Sequence, residues 1–284
     1  MSYHIIDCRE LDAGQLCAAM NSAFSDYCVP LSLTVDKFLY FQKQRGFSAE
    51  HSFVSMSGPD IAGFWYSTAP SASYGSRGYA VSVGTDPRHR RKGILKNLFK
   101  AVVEKQKSDG ANGMQLEVIS TNERALRAYE LFGYKHQRTV RVCRLPKHSL
   151  PVSRRNDLSI DALTVEELPD DESDYFDTLP TPQNSRASLT ALRGRMNLIG
   201  VSENGRLLGW GAANPDGSVA QIAVHRNFRR NGIGSALLEG LGQSVDTDHL
   251  TFVNVDVSAT GVNAFLDRAG AEDLLQQFDM QLTF

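Results

Sequence analysis

Gly84-Thr85-Asp86-Pro87-Arg88-His89-Arg90-Arg91-Lys92-Gly93-Ile94-Leu95 decides how this chain is read, because Ala223-Val224-His225-Arg226-Asn227-Phe228-Arg229-Arg230-Asn231-Gly232-Ile233-Gly234 repeats its order of parts. Each stretch leaves a strand-like run, passes through basic residues and a glycine, and enters a helical pattern. Aligned without gaps, Arg90 falls on Arg229, Gly93 on Gly232 and Leu95 on Gly234. Unpaired N–H groups and the positive end of the helix dipole converge at such a junction, which makes it an anion site. Glycine lets the backbone approach a diphosphate closely, and arginine or lysine adds charge-assisted hydrogen bonds. One such loop is also what a glycine-started helix beside a solvated basic run looks like. Two in matching contexts make that reading poor. Neither copy ends in Gly-Lys-Ser/Thr, so a nucleotide P-loop is disfavoured.

Working outward from the first loop, His4–Asp7 is a strand candidate, and Asp12–Phe24 and Thr34–Gln44 read as helices opened by capping residues. Between those helices lies the polar and aromatic loop Ser25–Pro30. Ser52–Ser57 and Ile61–Ser67 form a hairpin around Gly58-Pro59-Asp60, and Gly78–Thr85 is a strand. Gly93–Asp109 carries a wide apolar stripe, and Met114–Ile119 is a strand. Ser120 with Glu123 suggests a capping box for a helix to about Phe132. Two strands, Tyr134–Gln137 and Thr139–Leu145, close this half.

The second half repeats part of this order: a hairpin of Asn197–Ser202 and Arg206–Ala213, a strand Val219–Val224, a helix Gly232–Gly242, a strand Phe252–Val257, a short helix Asn263–Ala269 and a last strand Phe278–Phe284. Strands alternating with helices after a hairpin imply an α/β fold with a mixed, mostly antiparallel sheet in each half. The acidic, proline-containing stretch 166–185 reads as a loop or a loosely ordered flap. Two prolines in Leu145–Pro151, followed by Ser153-Arg154-Arg155-Asn156-Asp157, put a linker and a domain boundary near residue 150, giving domains 1–150 and 151–284.

The length of 284 residues fits two domains of ordinary size. Residues 1–150 hold 20 Lys and Arg against 13 Asp and Glu, a net +7, whereas residues 151–284 hold 10 against 19, a net −9. The basic half is therefore the better host for a polyanion. No apolar run approaches the ~20 residues of a membrane helix, and the start lacks the pattern of a secretory signal. The four cysteines, Cys8, Cys17, Cys28 and Cys143, have neither CxxC spacing nor disulfide density. Reduced thiols in a cytoplasmic protein account for them. No histidine–cysteine cluster has metal spacing, no Gly-x-Ser-x-Gly elbow or GxGxxG fingerprint occurs, and no aromatic-interleaved basic stripe points to nucleic acid.

The two loops resemble the R/Q-x-x-G-x-G/A signature of the GCN5-related N-acetyltransferase (GNAT) superfamily. Arg229-x-x-Gly232-x-Gly234 matches in full, and Arg90-x-x-Gly93-x-Leu95 departs at its last position. The resemblance implies two tandem GNAT-like α/β domains that bind acetyl-CoA as cosubstrate, without a metal. It implies contacts from Val83, Thr85, Arg90, Arg91, Lys92, Gly93, Ile94 and Leu95 in one half, and from Val224, Arg229, Arg230, Asn231, Gly232, Ile233 and Gly234 in the other. Asn122-x-x-Ala125-x-x-x-Tyr129-x-x-x-Gly133-Tyr134 looks like the family's next motif. In it, Asn122 contacts the pantetheine arm or fixes the helix, and Tyr129 is the general acid for the departing thiolate. Tyr129 also shares a helical face with Ala125 and Phe132, so burial of its ring is expected either way.

Glu117, on the strand before Asn122, is the candidate base; it also fits an exposed position of an alternating strand. Asp26 and Tyr27 lie in the loop that usually lines the family's acceptor pocket. In the second half, Gly270 counts back to Leu266 where Gly133 counts back to Tyr129, so no matching acid is found. The expectation is N-acetyl transfer to a primary amine of a small molecule or peptide in a ternary complex, by a monomer or homodimer, with chemistry in the first domain. The alternative is a non-catalytic acyl-CoA sensor or scaffold.

Overall fold

In a computed structural model, residues 2–27, 31–153 and 157–284 are described. Cys28 and the end of the Ser25–Pro30 loop fall outside that set, as do Arg154-Arg155-Asn156 of the expected linker. The chain divides into two compact units. The first comprises Met1–Glu117, Glu123–His136 and Met280–Phe284, and the second comprises Val118–Asn122 and Gln137–Asp279.

The first unit begins with β1 (His4–Asp7), α1 (Ala13–Ala23) and α2 (Val35–Arg45). Asp12 caps α1 in a reciprocal box with Gln15, and Thr34 accepts from the Lys37 N–H to open α2. Then follow β2 (Phe53–Ser57), β3 (Asp60–Ser67), β4 (Arg77–Thr85), α3 (Ile94–Ser108), β5 (Gly113–Ile119) and α4 (Glu123–Leu131). The strands lie in the order β1-β2-β3-β4-β5, with the end of the last strand of the chain beside β5. Alternation along β3 sends Phe64 and Tyr66 into a core with Leu16, Met20 and Phe38 of α1 and α2. Trp65 points the other way and meets Phe99, Tyr129 and Phe132.

The second unit takes β6 (Lys135–Pro146) from Gln137 onward, then β7 (Ile160–Ala162), α5 (Arg186–Ala191), β8 (Asn197–Glu203), β9 (Arg206–Ala213), β10 (Ser218–Val224), α6 (Ile233–Ser244), β11 (His249–Asp256), α7 (Thr260–Arg268) and β12 (Glu272–Thr283) to Asp279. Its order is β12-β6-β11-β10-β9-β8-β7. Leu238 and Leu241 of α6 pack with Phe252 and Leu266, while Trp210 packs with Leu189, Leu198 and Tyr175.

Four local expectations change. The two closing strands of the first half are one strand, β6, which runs through Arg138 without interruption. Helix α4 starts at Glu123, so Ser120 stands outside it and its N–H bonds the Gln276 carbonyl instead of forming a capping box. The acidic stretch 166–185 is packed rather than loose: Leu168, Tyr175, Thr181, Gln183 and Asn184 are buried. The pattern also passed over β7 and α5, which are too short for periodicity to register. Cys8, Cys17 and Cys143 are buried free thiols, and desolvation pushes Cys8 up to about 12. Among the described residues no helix is long and apolar enough to cross a membrane, and no group of ligating side chains has metal geometry.

Candidate active site

Both loops adopt one backbone path. Arg90 has φ −63° and ψ 160°, and Arg229 has φ −64° and ψ 157°. The next residues, Arg91 and Arg230, take left-handed φ values of 63° and 66°. Gly93 (φ 76°) and Gly232 (φ 81°) then head α3 and α6, with no side-chain cap on either helix. Left-handed arginines cost about 1–3 kcal/mol each, and such strain persists where surrounding structure demands it. Alternating backbone handedness before an uncapped helix turns successive N–H groups into a concave anion cradle. A Cβ built on Gly93 meets nothing within 4 Å, so the cradle is open where a diphosphate would approach. Lys92 is exposed beside it, its ammonium 5.9 Å from the centre of the Tyr3 ring. Ile94 and Ile233 are buried anchors, whereas Leu95 is half-buried. A side chain at Gly234 would press on the Phe265 ring at 3.2 Å.

Ahead of each loop the sheet parts. Strand β4 pairs with β5 from Arg77–Gly113 to Tyr79–Gln115 and then leaves it, while staying paired with β3 as far as Thr85. Val83 and Thr85 therefore lie on the free edge of the opening. Strand β10 pairs with β11 only at Ser218–Thr251 and Val219–Phe252. It continues beside β9 to Val224.

In the first unit, Glu117 sits on β5 past the parting point, and its Oε2 accepts from the Tyr79 hydroxyl at 2.5 Å. Burial drives the Tyr79 hydroxyl well above its ordinary pKa. Tyr129 of α4 is 8% exposed, edge-on to Trp65 and Tyr134. Desolvation, and to a smaller degree Tyr27, raises its pKa, so the hydroxyl stays protonated at neutral pH. Asn122 immediately precedes α4 in the chain.

Asp26 is engaged: Arg90 grips its carboxylate through two 2.6 Å contacts. That guanidinium holds the Asp26 carboxyl below its usual range. Tyr27 stacks edge-on against Phe24.

In the second unit a cavity of about 530 Å³ opens at the parted strands. Arg229, Arg230, Gly232 and Gly234 border it at the loop, and Phe252, Val255 and Phe265 form part of its largely apolar wall. Asn184 spans the gap: its side chain donates to the Val253 carbonyl at 2.7 Å, and its own carbonyl accepts from Gln221 at 2.7 Å. Asp256, which the ungapped alignment of Arg90 on Arg229 puts opposite Glu117, accepts from the Ser258 N–H and hydroxyl and faces Arg138 at 3.4 Å. Leu266 is fully buried where the first unit has Tyr129.

Sequence reasoning missed Tyr79, Asp177, Asn184 and Gln221. Composition hid Asp177 and Asn184 inside an acidic run, and Tyr79 read as one more strand aromatic. The pair Asp86 and His225 was readable: each stands four residues before the arginine that opens its motif, Arg90 or Arg229, and both cap the turn that follows, at the Arg88 and Asn227 N–H groups.

Residues 18–134 match the model of the Acetyltransferase (GNAT) family, and residues 164–270 match that of an Acetyltransferase (GNAT) domain. No curated protein matches the sequence. Solved structures of similar fold include a GCN5-related N-acetyltransferase from Sphaerobacter thermophilus, 16% identical with a TM-score of 0.73, covering 99% of this chain and 95% of that one. Another is a tandem GNAT protein from the clavulanic acid biosynthesis pathway, 15% identical with a TM-score of 0.70, covering 99% and 98%. A third, a GCN5-related N-acetyltransferase from Anabaena variabilis, is 12% identical with a TM-score of 0.62, covering 99% and 72%. Two matched segments in tandem, each carrying the same loop ahead of an uncapped helix, make this chain a member of the GNAT acetyltransferase family.

Proposed function

We propose that the chain moves an acetyl group from acetyl-CoA to a primary amine of a small molecule or peptide, with the chemistry in the first unit. The observation that carries this reading is the buried Tyr129 hydroxyl, kept protonated at neutral pH, in the unit that also presents Glu117 and a phosphate loop. N–H groups of residues 91–95 hold the diphosphate, with Lys92 adding charge. The parted edge at Val83–Thr85 offers N–H groups to the thioester oxygen, and a donor of that kind is worth about 3 kcal/mol. Glu117 takes a proton from the amine, directly or through water. The nitrogen attacks the carbonyl carbon, the C–S bond breaks, and Tyr129 protonates the departing sulfur. Asp26 and Tyr27 belong to the segment that borders the acceptor. Asn122 steadies the pantetheine arm or the start of α4.

The second unit binds the same cosubstrate through Val224 and Arg229–Gly234 without turning it over. A second reading, an acyl-CoA sensor or scaffold, is favoured by the preformed cavity in the unit with Leu266 in place of an acid. Free-thiol release from acetyl-CoA against a panel of amines separates the two. Tyr129→Phe is expected to lower turnover by roughly 10²–10⁴ while acetyl-CoA binding holds. Unchanged turnover removes Tyr129 from the mechanism, and no release by the wild type with any amine leaves the sensor.

A further inference from the structure

The arginine that opens each loop motif does not face the anion cradle with its donors free. Arg90 spends Nε on the Thr85 carbonyl at 3.2 Å, Nη2 on the Ala23 carbonyl at 3.2 Å, and both Nη groups on Asp26 at 2.6 Å. Arg229 repeats this with the Val224 carbonyl at 3.0 Å, the Tyr175 carbonyl at 3.1 Å and Asp177 at 2.6 Å. In each case Nε reaches back five residues to the strand end, and the fork crosses to one carbonyl and one aspartate of a separate segment. In the first unit that segment is the end of α1; in the second it is an irregular stretch with no sequence motif in common with it.

A second tie lies beside each. The Ser22 hydroxyl donates to Asp86 at 2.6 Å, and the Arg226 N–H and side chain bond the Asp174 and Ser173 carbonyls. A planar fork suits this bridging, and lysine could not reproduce it. The same construction arising twice on unrelated partner segments argues for a role beyond surface charge pairing.

We propose that Arg90 is a positioning residue for the acceptor side and that Arg229 makes the same fastening, without an acceptor, in the second unit: each ties the segment bearing Asp26 or Asp177 to the phosphate loop, so that segment keeps its shape only while the loop does. The diphosphate is left to backbone N–H groups. This rests on the functional reading above, in which the loop holds acetyl-CoA and residues 22–27 border the amine.

The test is a double-mutant cycle with Asp26→Asn and Arg90→Lys, using spermidine, kanamycin and a short lysine peptide as amine probes. Each single change is expected to raise the amine KM about tenfold, and the pair to raise it no further, because both break one connection. Acetyl-CoA Kd, by calorimetry at fixed salt, is expected to stay within about threefold, while amide exchange across residues 22–27 of the ligand-free protein accelerates in both variants. A tenfold loss of acetyl-CoA affinity in Arg90→Lys with the amine KM held would make the arginine a phosphate ligand and overturn the proposal. A KM effect in Asp26→Asn alone would make Asp26 a direct acceptor contact and overturn it too. If wild-type protein binds no acetyl-CoA, the functional reading fails, and amide exchange still decides whether the fastening exists. Asp177→Asn, read by exchange across residues 173–177, supplies an independent second copy should either first-unit variant fold poorly.

Discussion

The two units solve the same backbone problem and then diverge at the place where their sheets part. Both hold an arginine and a glycine in left-handed conformation ahead of an uncapped helix, to within a few degrees of φ. At the parting, the first unit joins its strands through two ionisable side chains, Tyr79 and Glu117, and adds Tyr129 nearby. The second joins them through the amides of Asn184 and Gln221 and puts Leu266 at the acid position. Amides bridge well but exchange no protons near neutral pH, whereas a carboxylate and a phenol can. The loop backbone is thus duplicated, whereas the side chains at the parting strands are not.

The sharpest way to break that contrast is to spoil the loops one at a time. Gly93→Asp places a negative charge in the first cradle and is expected to cut turnover by about a hundredfold or more, since juxtaposed like charges cost several kcal/mol. Gly232→Asp is expected to remove one of two calorimetric acetyl-CoA binding events and spare turnover. The reverse pattern moves the chemistry to the second unit.

A smaller effect probes the turn before the loop. Asp86 is buried and bonded to Arg88, the Arg88 N–H and Ser22, and Arg88 foremost holds its carboxyl well below the ordinary range. A folded-state pKa below the unfolded value adds stability that is present above about pH 4 and lost as pH falls further. Asp86→Asn should therefore cost about 1–3 kcal/mol in urea melts at pH 7 and progressively less in acid. A cost that does not shrink below pH 4 would show that charge at Asp86 is immaterial.

The alkaline side sharpens the assignment of Tyr129. Because burial raises its pKa, deprotonation of this acid should not reduce kcat between about pH 8 and pH 10 in a pH–rate profile. A falling limb in that window that vanishes in Tyr129→Phe would contradict the burial.

The smallest expected effect is at the motif's last position. Gly234→Leu makes the second loop resemble the first and pushes on Phe265, and it should weaken the second binding event by a few-fold. No change would mean that Leu95 costs the first loop nothing.

The loops were legible because glycine and helix-start geometry leave a mark on sequence at fixed spacing, and the doubling removed chance. Tyr129 stood out through its full motif, and the structure places it on α4. The inward turn of Arg90 and Arg229 was not legible, since a basic run looks the same whether its side chains face a ligand or the protein. Arg138 fell between the two expected strands Tyr134–Gln137 and Thr139–Leu145, yet it lies within β6, where it meets Asp256 and Asp279. Asn184 could not be found from pattern at all, as a bridging amide depends on two distant strands arriving beside it.

Residues 280–284 belong to the first unit's sheet, and that membership has a consequence for biosynthesis. Gly113 lies so close to Leu282 that an added Cβ would sit 2.0 Å from its carbonyl oxygen, and the Phe284 N–H bonds the Asn112 carbonyl. A nascent chain that has released residue 136 must wait for residue 280 before this edge can close. At ~5–20 residues per second, that is an interval of roughly 7–30 s. Throughout it β5 exposes an unpaired edge, the kind of surface that chaperones shield and that aggregation exploits. Removal of residues 280–284 would therefore injure a unit whose other residues are all made well over a hundred positions earlier.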